Sequence, residues 1–300
     1  MNRRAFVKVA GMGSIGGLLA PSAFATSFFK LPAPGLQLFT FFGKIDNDVK
    51  GTMEQIKAAG YVNIESAFSR LGGLYGMKPK EWATMLTDMG MKWRSHHVIG
   101  APFKMPAGAK PPTDANGNPI KIPTMQNLKD NRQELVDMAA EGGVEYLVCA
   151  NIPISTVDEI KEAVGILNST NELAKKAGLK FVYHNHDAEF KTVDGVIPYD
   201  VFLKDTGIKM ELDLAWAVKG GKDPVAMFNQ NPGRYPLWHV KDLDATHTNI
   251  MPVGKGTINF KPIFDAASKS GLEYYFVEHD MPKDALASIK ESMETLKKLM

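Results

Sequence analysis

The chain has 300 residues, 44% of them apolar and 23% charged, with a formal charge of +2. That length and apolar content can bury a large core in one large domain or two small ones. The near-balance of charge leaves no basic footprint for a nucleic acid.

The chain opens with the basic segment Asn2-Arg3-Arg4-Ala5-Phe6-Val7-Lys8, followed by an apolar, glycine-rich run that ends at Ala23-Phe24-Ala25, a small-x-small cleavage pattern. The arginine pair followed by Phe6 and Lys8 resembles a twin-arginine export signal. Residues 1–25 are therefore expected to be a signal peptide and 26–300 a single functional domain. Val9–Ala20 is too short and too rich in glycine to span a bilayer. Loss of Arg3, Arg4 and Lys8 takes the charge from +2 to −1. The expectation is a periplasmic or otherwise exported protein whose mature form has no membrane span. The twin-arginine route carries folded proteins, so a metal could be loaded before export.

Short strand-like runs then alternate with amphipathic segments. The predicted strands are Leu36–Phe42, Tyr61–Ser66, Lys92–Ile99, Glu145–Asn151, Lys180–His186, Lys209–Ala215, Tyr235–Asp242 and Tyr274–Asp280. Predicted helices include Val49–Ala59, Glu81–Asp88, Asn127–Glu141, Val157–Ala177, Lys261–Ser270 and Lys283–Leu299. Gly60, Gly90, Gly142, Gly178, Gly207 and Gly271 each precede a strand, where a helix C-cap favours positive φ. Eight βα units demand parallel strands and match a (β/α)8 TIM barrel. A doubly wound sheet would usually carry a phosphate-binding glycine loop, and Phe41-Phe42-Gly43-Lys44-Ile45 offers none. The single cysteine, Cys149, lies in an apolar strand and excludes an internal disulfide; its expected role is a small buried side chain. Two long loops, Gly100–Pro123 and Leu243–Ile258, follow strand C-termini, on the face where such barrels place their active sites.

Chemistry-bearing residues recur at those strand ends. His97 closes the third strand, His184 and His186 the fifth, Asp213 the sixth, His239 and Lys241 the seventh, and Glu278 the eighth. A lone histidine there is ordinarily a hydrogen-bonded structural residue, and a lone carboxylate a cap. Several on neighbouring strands are different, because buried carboxylates need a cation or a shared proton. The mixed nitrogen–oxygen set suits Mn²⁺, Zn²⁺, Fe²⁺ or Co²⁺. Such an ion would polarise a carbonyl or clamp vicinal oxygens.

The motifs Tyr183-His184-Asn185-His186-Asp187, Glu211-Leu212-Asp213-Leu214-Ala215-Trp216, His239-Val240-Lys241-Asp242, Gly254-Lys255-Gly256-Thr257-Ile258-Asn259-Phe260 and Phe276-Val277-Glu278-His279-Asp280 resemble the sugar phosphate isomerase/epimerase group of the xylose-isomerase-like barrels. The resemblance implies one divalent ion (Mn, Zn, Mg or Co) held by Asp213, His239, Glu278 and, on the fifth strand, His184, with His186 as the alternative ligand or a substrate contact. Many relatives carry glutamate where His184 stands, and the familiar epimerisation uses two glutamates on opposite substrate faces. Only Glu278 of that pair remains.

Proton transfer is therefore expected to involve Glu278 with His97 and Lys241, whereas His96 should point away from the pocket. Lys241 could steady an oxyanion or form a surface ion pair with Asp242 or Asp244. Glu65 could bind sugar hydroxyls, and Trp216 or Phe68 could stack on a pyranose face, against the default of aromatic core packing. The leading expectation is a metal-dependent sugar isomerase or epimerase acting through an enediolate. The alternative is a lyase or hydratase on 3-keto-glycosides at the same site, favoured by export and by the lack of a phosphate clamp. The expected partner is a small sugar, with room for a homo-oligomer. A three-metal nuclease lacks its extra ligands here, and a non-catalytic sugar-binding protein would carry no metal.

Overall fold

Eight parallel strands close into a barrel in the computed structural model, which describes residues 29–102 and 125–300. Residues 1–25, expected from the sequence to be a signal peptide, and residues 103–123 of the first long loop lie outside the described residues. The barrel strands are β1 (Gly35–Gln37), β2 (Asn63–Ser66), β3 (Lys92–Ile99), β4 (Tyr146–Asn151), β5 (Lys180–His184), β6 (Lys209–Asp213), β7 (Leu237–Val240) and β10 (Tyr274–Val277). Each pairs with its neighbour in chain order, and β10 closes on β1. Between β7 and β10 a small antiparallel hairpin joins β8 (Asp242–Leu243) to β9 (Ile250–Met251).

The outer layer comprises α1 (Val49–Ala58), α2 (Pro79–Asp88), α3 (Arg132–Gly142), α4 (Val157–Lys176), α5 (Pro198–Asp205), α6 (Leu214–Lys219), α7 (Pro224–Gln230), α8 (Phe260–Asp265), α9 (Ala267–Ser270) and α10 (Ala285–Leu299). Their starts follow local rules. Asp48, Thr156 and Asp284 accept backbone N–H groups as N-caps, and Pro79, Pro198 and Pro224 occupy first turns. Among the described residues, no helix is long and apolar enough to cross a membrane.

Several strands stop earlier than predicted because polar side chains at their ends seed the next turn. The Gln37 side chain accepts from the Phe39 N–H, so the chain enters a 3-10 turn at Leu38. Asp213 caps α6 through the Trp216 N–H at 2.9 Å. Beyond His184, the buried Glu189 accepts from the His186 N–H and the Tyr183 hydroxyl. Helix α3 starts at Arg132 rather than Asn127, whose side chain accepts from the Asp130 N–H in a turn. The left-handed cap after α3 falls on Gly143 (φ +71°), one residue later than predicted. Gly142 stays helical, where a Cβ would strike the Trp93 ring. Gly207 lacks positive φ, and the chain leaves α5 through an extended Thr206.

The main core fills the space between strands and helices, and Cys149 lies buried within it. A smaller cluster, Tyr146, Val148, Val182, Leu237 and Phe276, plugs the barrel interior. Gly35 makes room for it, since a Cβ there would lie 2.5 Å from the Phe276 ring. With the floor filled by apolar side chains, polar chemistry is confined to the layers above it, toward the strand C-termini.

Candidate active site and metal centre

Strand alternation builds two stacked polar layers. Side chains two residues apart face the same way, so β6 supplies Glu211 and then Asp213, the β7 segment supplies His239 and then Lys241, and Glu278 follows β10. His96 faces away from the barrel interior, with Nδ1 2.7 Å from Ser66 Oγ and its ring against Trp93.

The lower layer is Glu65, His97 and Glu211, with His239 reaching into it. His97 Nε2 lies 2.6 Å from Glu211 Oε2 and 3.1 Å from Glu65 Oε1. His239 Nε2 lies 2.5 Å from Glu65 Oε1 and 3.2 Å from Glu211 Oε2. Gln37 Nε2 donates to Glu65 Oε1 at 2.7 Å, and the Ser95 hydroxyl donates to Glu65 Oε2. Burial alone would push the His97 pKa down, yet Glu65 and Glu211 carry it up to about 9. Burial and the charge of Glu65 push Glu211 up to about 7. Burial would also raise Glu65, but His97 and His239 hold it well below the usual carboxylate range.

The upper layer is Asp213, Glu278 and Lys241. Lys241 is buried, with Nζ 2.8 Å from Glu278 Oε2, 3.1 Å from Asp213 Oδ2 and 3.0 Å from Asp280 Oδ1. Burial opposes its charge, and those three carboxylates keep it protonated well above the usual lysine value. Burial would raise Glu278, but Lys241 and His239 hold it ionised. Asp280 is pushed up to about 7 by burial, against the pull of Lys241. His186 and Trp216, both half-buried, form the rim, with rings 6.0 Å apart and Lys241 Nζ 5.4 Å from the Trp216 ring. Burial and then Lys241 pull His186 down to about 4.

His184 and His239 join the layers. His239 Nδ1 is 2.7 Å from Glu278 Oε2 and 3.8 Å from Asp213 Oδ2. His184 Nε2 is 4.0 Å from Asp213 Oδ2, and its Nδ1 is 3.2 Å from Glu211 Oε2. Two groups have ligand atoms close enough to share an ion: Asp213, His239 and Glu278, and His97, His184, Glu211 and His239. Asp213 Oδ2 and His239 Nδ1 are buried with no aligned hydrogen bond, in ion-pair contact with Lys241 and Glu278. Closely set buried ligand atoms of this mixed nitrogen–oxygen kind, beside an ionised Glu278, fit a divalent cation.

Asp213, His239 and Glu278 thus come together as predicted from the sequence, while His184 lies between the two layers. Three expectations need correction. Glu65 is fully buried and engaged by Gln37, Ser95, His97 and His239, so it does not face the opening where a sugar would sit. His97 has its Nε2 committed to two carboxylates, Glu211 and Glu65, and so is not free to move a substrate proton. Lys241 forms no surface pair with Asp242 or Asp244. Asp242 instead accepts from the backbone N–H groups of Leu243, Gly254, Gly256 and Ile258, tying down the second long loop. Glu211 and Asp280 were missed, although each lies two residues from a named candidate on the same strand face. Phe68 is 39% exposed and packs on Phe39 and Phe42.

Residues 53–299 match the model of the xylose isomerase-like TIM barrel. The chain belongs to this family. A sugar phosphate isomerase/epimerase from Parabacteroides distasonis superposes with a TM-score of 0.73 at 27% identity, over 89% of this chain and 98% of that one. An inosose dehydratase from Geobacillus thermodenitrificans is 25% identical over 198 residues, covering 55% of this chain and 65% of the dehydratase. A second inosose dehydratase, from Clostridium tetani, is 26% identical over 51% of its own length and 44% of this chain. The chain therefore spans about half to 65% of the curated relatives it matches. An L-ribulose 3-epimerase, 15% identical with a TM-score of 0.65, shares the fold.

Proposed function

We propose that this protein is an exported, metal-dependent enzyme that removes a proton from the carbon beside the carbonyl of a keto-sugar and expels the substituent on the next carbon. The observation that carries this reading is the pairing of Glu278 with Lys241 at 2.8 Å beside Asp213 and His239. Asp213, His239, Glu278 and His184 would hold a divalent ion, which supplies positive charge to the vicinal oxygens of the sugar. Glu278, kept ionised by its neighbours, receives the carbon-bound proton. Lys241, kept protonated, stands beside it to steady the developing oxyanion and to return a proton to the departing oxygen. The C–H electrons form the new double bond as the C–O bond breaks, and water or a glycosidic alcohol leaves. His186 and Trp216 flank the substrate at the rim.

Base and acid side by side suit elimination on one face of the sugar. Epimerisation through two carboxylates would need a second base opposite Glu278, where strand β5 carries His184. Similarity to inosose dehydratases supports the elimination. The likeness to a sugar phosphate isomerase/epimerase supports a second reading, in which Glu278 hands its proton to the adjacent carbon and an aldose and ketose interconvert.

Incubation in D₂O with 3-keto-glycosides and with free ketoses separates the two. Release of the glycosidic group is expected. Interconversion of ketoses with deuterium on carbon would favour isomerisation instead. Elemental analysis showing no divalent metal, with Asp213→Ala changing nothing, would sink both readings in favour of a sugar-binding protein. Export rests on the Arg3-Arg4 segment, and an Arg3→Lys, Arg4→Lys variant should remain in the cytoplasm.

A further inference from the structure

His239 and His184 each offer one ring nitrogen to the upper layer and one to the lower. In His239 the upper atom is Nδ1, facing Glu278 Oε2 and Asp213 Oδ2, and the lower is Nε2, hydrogen-bonded to Glu65 Oε1 at 2.5 Å. In His184 the assignment is reversed: Nε2 faces Asp213 Oδ2, and Nδ1 lies 3.2 Å from Glu211 Oε2. Both nitrogens of His239 thus face a carboxylate, but Glu278 and Asp213 would be taken up by the ion, so Glu65 and Glu211 are left to accept a ring hydrogen and the lone pair falls to the upper nitrogen.

Building on the metal-dependent reading above, we propose that Glu65 and Glu211 are positioning residues that select the metal-binding nitrogen, Nδ1 of His239 and Nε2 of His184. Neither carboxylate is free to swing. Gln37 and Ser95 hold Glu65, and His97 braces both, with a single Nε2 between Glu211 Oε2 (2.6 Å) and Glu65 Oε1 (3.1 Å). The His97 ring also stacks on His239, with centroids 5.1 Å apart and planes within 6°. The two supports differ in strength. Glu65 makes an aligned hydrogen bond to His239, whereas His184 Nδ1 and Glu211 Oε1 are buried without an aligned partner. Glu65 is therefore the stronger determinant.

The test is made on the zinc-loaded full chain labelled with ¹⁵N-histidine. Long-range ¹H–¹⁵N correlation reads the tautomer and the metallated nitrogen of each ring, and chelator competition gives zinc affinity for the wild type and variants. Zinc is expected on Nδ1 of His239 and Nε2 of His184. Glu65→Ala should weaken zinc binding by about 10- to 100-fold. Glu65→Gln keeps an acceptor oxygen and should recover most of that loss, while Glu211→Ala should weaken binding less. The proposal is overturned by zinc on the opposite nitrogens, by unchanged affinity in Glu65→Ala, or by zinc retained in Asp213→Ala and lost in His97→Ala. Unchanged affinity in Glu65→Ala would leave the functional reading standing, whereas zinc in the lower layer, or a wild type that binds no zinc, would overturn both. Should Glu65→Ala fail to fold, the wild-type nitrogen pattern alone decides.

Discussion

The two polar layers of this barrel differ in what holds their carboxylates. In the lower layer Glu65 accepts from Gln37, Ser95 and His239, and His97 bridges both glutamates, with Glu211 Oε1 left without a hydrogen-bond partner. In the upper layer one ammonium, Lys241, is shared by Asp213, Glu278 and Asp280. Directed hydrogen bonds fix the geometry of Glu65, while carboxylates gathered on one shared charge are placed to take a cation and a substrate. Burial is similar in both, so the kind of partner rather than depth distinguishes support from reaction.

The largest effects should follow from substitutions in the upper layer. Asp213→Ala removes a proposed ligand on the end of β6 and should abolish zinc binding and lower turnover by more than about 10³-fold. Lys241→Met keeps the stem but deletes the charge beside Glu278. It should cost on the order of 10²- to 10³-fold in kcat with zinc still bound. Loss of zinc in Lys241→Met, or retention of activity in Asp213→Ala, would break the division between the layers. Both are read by metal titration beside a turnover assay.

The barrel itself was legible in the sequence because eight apolar runs recur with helical segments between them. The ends of its strands were not. Gln37, Asp213 and Glu189 look like continuing strand or loop residues until their side chains are seen to accept backbone N–H groups and end the extended run. The short helices α5, α6 and α7 went unpredicted because six to eight residues hold too few turns for a period to show. At the site, a place at a strand end and the family resemblance picked out Asp213, His239 and Glu278, whose ligand atoms the structure places close together. Parity along a strand does not tell how high a residue sits. That height depends on the stagger between neighbouring strands, so Glu65 and His97 were placed at the opening and Glu211 was passed over. The burial of Lys241 depends on Asp280, which follows β10 and turns back toward it.

The histidines of the site should also titrate in opposite directions. His97 is raised to about 9 and Glu211 to about 7, and His239 is raised well above its ordinary value. Protons on raised groups are bound more tightly in the folded state. The stability they confer on the metal-free protein is full at low pH and is lost as pH climbs through the folded values. His186, lowered to about 4, and His184, lowered well below its ordinary value, behave oppositely: their contribution is full above about pH 6.5 and is lost as pH falls. The metal-free protein should therefore melt lower by on the order of 5 °C between pH 7 and 9.5, and His97→Gln should flatten that alkaline limb. His186→Gln should soften the acid limb only. A His97→Gln variant that changes the acid limb alone would overturn the raised state of His97.

The smallest effects give the cleanest separation, because each should touch one layer only. Ser95→Ala removes the hydroxyl that donates to Glu65 Oε2 and leaves a buried carboxylate oxygen unpaired. The cost should be about 1–3 kcal/mol of stability, as for other buried acceptors that lose a donor, with KM unchanged, since Ser95 is buried under the site. Trp216→Phe keeps an aromatic at the rim but shortens the surface facing His186, and its indole Nε1 has no hydrogen-bond partner to lose. It should raise KM by roughly 2- to 10-fold, the scale of a weakened aromatic contact, and leave the melting temperature within error. Should Ser95→Ala instead raise KM while Trp216→Phe lowers stability, the lower layer would be in contact with substrate, and the distinction between a supporting and a reacting layer would fall.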